Sequence, residues 1–148
     1  MNNDLTRAKD ELIKNGYSCV LCLGESLYTS TKNGVAPLVG WLDEQTDFTG
    51  FSAADKIVGK ASALLFVLCG VTAVYAKVIS EAAAKVFEKH GLSYEYGQMT
   101  PFIKNRTDTG LCPMETAVQN EDDPKRALIL LKNKIKELRE AQPKAHAS

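Results

Sequence analysis

The stretch from Phe51 to Glu115 reads in order as helix, buried strand, helix, edge strand and polar loop, and that order constrains the fold more than any other feature of the chain. Val71 to Ile79 is rich in β-branched residues and has no break, as a central strand covered on both faces requires. Before it, Ser52 is placed to cap a helix from Ala53 to Cys69, in which Gly59, Ala61 and Ala63 allow close packing on a sheet and which Gly70 ends. After it, Ser80 caps a helix from Glu81 to His90, closed by Gly91, and Ser93 to Tyr96 reads as a shorter strand.

The flanking segments extend the same pattern. Leu5, Ala8, Leu12 and Ile13 recur at helical spacing and Asn15-Gly16 supplies a stop. Tyr17 to Leu23 reads as a strand, Gly24-Glu25 as a turn and Ser26 to Ser30 as the returning strand of a hairpin. A helix starting near Pro37 carries the only tryptophan, Trp41, and the last helix runs from Asp123-Pro124 to Glu140 with Ala127, Leu128, Leu131, Ile135 and Leu138 on one face. The expected architecture is a three-layer α/β/α sandwich with a mixed sheet of about four to five strands, in one domain over residues 1–141, with 142–148 as a frayed tail.

Composition removes several function classes. The chain has 148 residues, with 18 Lys and Arg against 18 Asp and Glu, so no net basic field draws it to nucleic acid or anionic lipid. The longest apolar run, Ala61 to Val78, is interrupted by Ser62, Gly70, Thr72 and Lys77, and the first ten residues lack the apolar core of a signal peptide. A cytoplasmic protein without a membrane anchor is expected. Cys19 and Cys22 have a metal-knuckle spacing, but in a strand residues three apart point to opposite faces and their thiolates cannot share one ion. Cys69, just before Gly70, reads as a small buried hydrophobe.

Three blocks carry a resemblance: Ala54-Asp55-Lys56-Ile57-Val58-Gly59-Lys60-Ala61, then Val74-Tyr75-Ala76-Lys77-Val78-Ile79-Ser80, then Asn105-Arg106 with Thr109-Gly110-Leu111-Cys112-Pro113-Met114-Glu115. With them the chain resembles the family labelled domain of unknown function 1893, and its element order is similar to the cytidine deaminase-like superfamily. That wider resemblance implies a zinc site, with a histidine or cysteine, one residue and a glutamate opening the first core helix, and P-C-x-x-C opening the second. The corresponding positions here are Ala53-Ala54-Asp55 and Ser80-Glu81-Ala82-Ala83-Ala84. Alanine offers no lone pair, and one carboxylate cannot replace the three protein ligands of a catalytic zinc, so zinc-dependent deamination is not expected and no cofactor is assigned.

What the resemblance leaves is a cleft where the N-termini of two core helices meet, with free N–H groups suited to an anion. Lys56 and Lys60, one turn apart on the first helix, are candidates to reach a phosphate, with Asp55, Ser80 and Glu81 beside them. The bland reading is a solvated face and a first-turn acid. Asn105, Arg106 and Asp108 lie in a polar loop that would close the other side; a salt bridge holding that loop shut explains the last two as simply. Pro113 suits the first helical position, which puts Cys112 at a cap, where a thiolate is favoured, and Glu115 on the first turn. No histidine lies near Cys112 to act as its base. Tyr75 and Tyr94 have a base-stacking reading beside the ordinary one of aromatic strand residues in a core.

The leading expectation is therefore a deaminase-like domain that binds a nucleotide-like or phosphorylated small molecule. A metal-independent enzyme using Cys112, Asp55 or Glu115, and a non-catalytic protein-interaction module, are the alternatives. Magnesium accompanying a phosphate, held by Asp55, Glu81, Asp108 or Glu115, leaves no spacing signature to test. A homo-oligomer is expected by analogy with deaminase-like domains.

Overall fold

The computed structural model describes residues 3–105 and 110–141. Its elements in chain order are α1 (Asn3–Asn15), β1 (Cys19–Leu23), β2 (Ser26–Ser30), α2 (Ala36–Asp43), β3 (Ser52–Val58), α3 (Lys60–Cys69), β4 (Ala73–Ser80), α4 (Glu81–Lys89), β5 (Ser93–Thr100), α5 (Pro113–Ala117) and α6 (Pro124–Ala141). The five strands form one mixed sheet in the order β2-β1-β3-β4-β5. β1 runs antiparallel to both β2 and β3, whereas β3, β4 and β5 are parallel. Parallel neighbours need crossovers, and α3 and α4 supply them.

The expected helix from Ala53 to Cys69 is corrected. Its first part is the strand β3, hydrogen-bonded to β1 and β4 on its two sides, and the helix begins only at Lys60. Ala53 and Ala54 have high helix propensity, but both are fully buried between the layers, and tertiary pairing overrides a per-residue preference of well under about 1 kcal/mol. Ser52 is consequently a strand residue and not a helix cap. The edge strand is also longer than expected, reaching Thr100 instead of Tyr96.

Two apolar clusters lie on opposite faces of the sheet. Leu5, Ala8 and Leu12 of α1 meet Val20, Cys22, Ala54, Ala73 and Tyr75 on one face. On the other, α2, α3, α4 and α6 contribute Leu38, Leu64, Leu65, Phe66, Phe87 and Leu131 to the larger cluster, with Leu21, Val74 and Ile79 from the strands. Cys19 belongs to the larger cluster and Cys22 to the smaller, as strand alternation requires. Tyr28, Trp41, Phe48 and Phe51 pack edge to face beside β2, with ring centroids 4.9 to 6.0 Å apart, which ties the hairpin and the loop after α2 to the core.

A break line crosses the parallel strands. Pairing skips Lys56, Lys77 and Gly97, which lie abreast, while the register on either side is unchanged. Ala53 and Val74 face the larger core before the line and Val58 and Ile79 after it, so the alternation shifts by one residue across it. A Cβ at Gly97 would stand 2.9 Å from the carbonyl oxygen of Lys77, closer than a side chain there allows. The consequence for the site is direct: Val58 and Ile79 point into the core just before α3 and α4 begin.

Candidate functional site

α3 and α4 both start at the carboxyl ends of parallel strands, and the exposed N–H groups of a helix start need partners. At α4 the partner is local. Ser80 takes an extended backbone and its Oγ accepts the Ala83 N–H at 3.1 Å. At α3 the cap residue is Gly59, which has no side chain to offer. Its place is taken by Glu115 of α5: Oε1 accepts the Lys60 N–H at 2.7 Å and Oε2 accepts the Ala61 N–H at 2.8 Å. A Cβ on Gly59 would lie 2.3 Å from Glu115 Oε1, so glycine is what lets the carboxylate reach the amides.

The contact is reciprocal. Lys60 Nζ donates to the backbone oxygen of Gln119, just past α5, at 3.1 Å and lies 3.2 Å from Asp122 Oδ1. An acid from α5 thus meets the positive end of α3, while a base from α3 meets a carbonyl beyond the end of α5, both favourable signs for the helix dipoles. Burial raises the Glu115 carboxyl above the ordinary glutamate range; the Ala61 and Lys60 amides and the Lys60 charge pull it partly back.

Against this junction lies a cleft of about 140 Å³ lined by Lys60, Ser80, Ala82, Pro101, Phe102, Leu111, Glu115 and Gln119. It is smaller than the about 300–1,000 Å³ of sites for drug-sized ligands, and suits one ring or one small charged group. A hollow of about 230 Å³ lies at the other end of the sheet, lined by Val67, Val71, Thr72, His90, Gly91 and Leu92. The smaller cleft is the better candidate, because ligands of open α/β sheets bind outside the carboxyl ends of the strands and because Lys60, Ser80, Glu115 and Gln119 meet there.

The sequence-level candidates divide accordingly. Lys60, Ser80 and Glu115 come together in the cleft. Lys56 does not: it is exposed on β3, not one helical turn from Lys60. Asp55 is likewise not at a helix start. It sits in the middle of β3, 6% exposed, its Oδ1 accepting the Ile57 N–H at 3.2 Å. Burial lifts its pKa to about 8 against hydrogen bonds from the Ile57 amide, the Cys19 thiol and the Lys56 amide, so the carboxyl keeps its proton at neutral pH. Glu81 is exposed on the first turn of α4 and does not line the cleft. Asn105 donates its N–H to the Gly110 oxygen at 2.8 Å, next to the antiparallel bridge between Lys104 and Leu111, and does not line the cleft. Arg106 and Asp108 lie outside the described residues.

Cys112 does precede Pro113 at the start of α5, half-buried, but its side chain makes no cap hydrogen bond and the helix it opens has five residues. His90 lines the hollow at the far end of the sheet, so it cannot serve as its base. Tyr75 packs beneath α1 with the Lys9 ammonium 4.7 Å from its ring centre, and Tyr94 packs on Phe87; both belong to the fold. Among the described residues no group of three or more His, Cys, Asp or Glu is placed to hold a metal ion, and no helix is long and apolar enough to cross a membrane.

Five lining residues are not among the sequence-level candidates: Ala82, Pro101, Phe102, Leu111 and Gln119. Only Phe102 has a mark in the sequence, as an aromatic residue directly after Pro101 in a segment with no helical or strand period. In the sequence Gly59 reads as a packing glycine, and its role in admitting Glu115 has no local mark.

No curated protein matches the chain. Among solved structures, the crystal structure of a DUF1893 family protein from Thermotoga maritima is similar, with a TM-score of 0.83 and 29% sequence identity over 90% of this chain and 92% of that one. The model of the family described as Domain of unknown function (DUF1893) matches residues 7–135. That span takes in all five strands, both crossover helices and the Lys60–Glu115 junction: the chain belongs to the DUF1893 family.

Proposed function

We propose that the cleft beside the α3 and α4 starts binds a nucleotide-like or other phosphorylated small molecule, in a deaminase-like scaffold without zinc chemistry. The observation that carries this reading is the convergence of Lys60, Ser80, Glu115 and Gln119 with the apolar Pro101, Phe102 and Leu111 in one cleft at the carboxyl ends of the strands. A cleft of that size accepts a ring against Phe102, with the remainder of the molecule outside it. The sheet order β2-β1-β3-β4-β5 with helices starting after β3 and β4 supports the likeness to deaminases.

The residues at those helix starts do not fit zinc. Gly59, Lys60 and Ala61 open α3, and Ser80, Glu81 and buried Ala84 open α4. Neither set offers an imidazole or thiolate. The one carboxylate in the cleft is engaged by two amides, with the Lys60 ammonium nearby. A thiol mechanism has no supporting contact among the described residues either, where the one histidine, His90, lines the hollow at the far end of the sheet.

Native mass spectrometry of freshly purified protein beside its denatured mass, with metal analysis of the same sample, tests the reading. A retained nucleotide-sized mass without zinc is expected, and Ala82→Leu, which fills the cleft without removing a hydrogen bond, should abolish it. A bare polypeptide that also shows no thermal shift with nucleoside mono- and diphosphates would sink the reading, as would stoichiometric zinc.

A further inference from the structure

We infer that Glu115 is a built-in competitor that excludes anions from the cleft, so that a phosphate group enters only when this carboxylate leaves the start of α3. The inference rests on the cleft being the binding site, and it adds the regulation of that site.

Three observations carry it. First, the carboxylate takes both amides that a bound anion would use: Lys60 and Ala61 donate to its two oxygens at 2.7 and 2.8 Å. Second, the one ammonium lining the cleft is turned to the α5 side, toward the Gln119 oxygen at 3.1 Å and Asp122 at 3.2 Å. Third, the other helix start is closed by its own Ser80, whose Oγ holds the Ala83 N–H. The Lys60 and Ala61 amides, the Ala83 amide and the Lys60 ammonium are therefore committed inside the protein. What the cleft presents instead is a carboxylate, whose charge repels a phosphate at such distances.

The same geometry shows how the competitor is released. Glu115 belongs to a short helix whose neighbours Met114 and Ala117 are only partly buried against the core, while Val118 alone of that stretch is fully buried. A rotation of the Glu115 side chain frees two amides without unseating Val118. Lys60 is then left with an open cleft on one side and with Asp122, 3.2 Å from its Nζ, on the other.

Two variants separate charge from geometry. Glu115→Gln removes the charge with little change of shape. Gly59→Ala keeps the charge but places a Cβ where Glu115 Oε1 stands, 2.3 Å away, and its φ of −98° is one that alanine adopts freely. Calorimetric titration of the full chain with inorganic phosphate and pyrophosphate at pH 8 and low salt is expected to show weak binding to the parent and at least about tenfold tighter binding to both variants. Thermal melts of both variants establish that they are folded. If either folded variant binds these probes no better than the parent, or if the parent already binds them as tightly as the variants, Glu115 is not a competitor. A parent that binds nucleotides through its phosphate while the variants gain nothing would overturn this inference and leave the cleft reading standing. Variants that gain phosphate binding in a protein that takes no nucleotide would support the competitor and remove the nucleotide.

Discussion

The two helices that open beside the cleft solve one problem in different ways. α4 is capped by Ser80, three residues from the amide it binds, whereas α3 is capped by Glu115, which comes from 54 and 55 residues away. A local cap forms whenever its helix forms. The distant cap forms only if α5 is docked, so it couples the start of α3 to the segment that walls the cleft. It also places a charge in a half-buried position, which Ser80 does not. The lesson is that a helix start lacking a side chain at its cap, here Gly59, is where to look for a partner from elsewhere in the chain.

A third polar group takes that contrast furthest. Asp55 is buried in the sheet with no helix start to favour its charge, and its pKa of about 8 lies above the unfolded value of 3.8. Between those values the folded protein holds a proton that the unfolded chain has released, so the contribution of Asp55 to stability is greatest below about pH 4, falls as pH rises through the window, and levels off above about 8. The slope approaches about 1.4 kcal/mol per pH unit. Urea denaturation from pH 4 to pH 9 should show this fall, and Asp55→Asn should flatten it; a parent whose stability is level across the window would contradict the burial argument. Glu115, also raised, adds to the fall just above the usual glutamate range.

Glu115→Ala leaves the Lys60 and Ala61 amides without partners and is expected to destabilise by about 2 kcal/mol, the loss of charge-assisted bonds being offset in part by relief of a buried charge. Ser80→Ala removes one neutral cap and should lose about 1 kcal/mol. The order of the two in urea titrations is the sharpest check of the comparison: equal losses would mean that the distant cap adds nothing beyond a local one. Lys60→Ala should lose less than about 1 kcal/mol, because Asp122 is largely exposed and such pairs contribute little. A loss as large as that of Glu115→Ala would make the ammonium, not the carboxylate, the chief fastening of α5.

Much of this was legible from short-range chemistry. Ser80 as a cap, Pro113 opening a helix behind Cys112, Gly70 ending α3, the β-branched strand β4 and the opposite-facing Cys19 and Cys22 all depend on residues within a few positions of one another. The misreading of Ala53 to Val58 has the same root: alanine reports a helix locally, and nothing nearby shows that β1 and β4 flank it. The errors at Asp55 and Lys56 follow from that one, since a residue moved from helix start to strand interior exchanges a dipole and a cleft for a buried sheet or open solvent. Arg106 and Asp108, two of the loop candidates, fall outside the described residues.

The sequence by itself determined the β1–β2 hairpin, β4, and α4 with its Ser80 cap, but not β3, which it reads as the first turns of α3. Only the tertiary structure decided that Gly59, Lys60 and Glu115 form one junction, because a carboxylate finds amides 54 and 55 residues away through the packing of α5 and not through any pattern along the chain. It likewise decided that Asp55 is buried and protonated at neutral pH, since desolvation belongs to the neighbours in space.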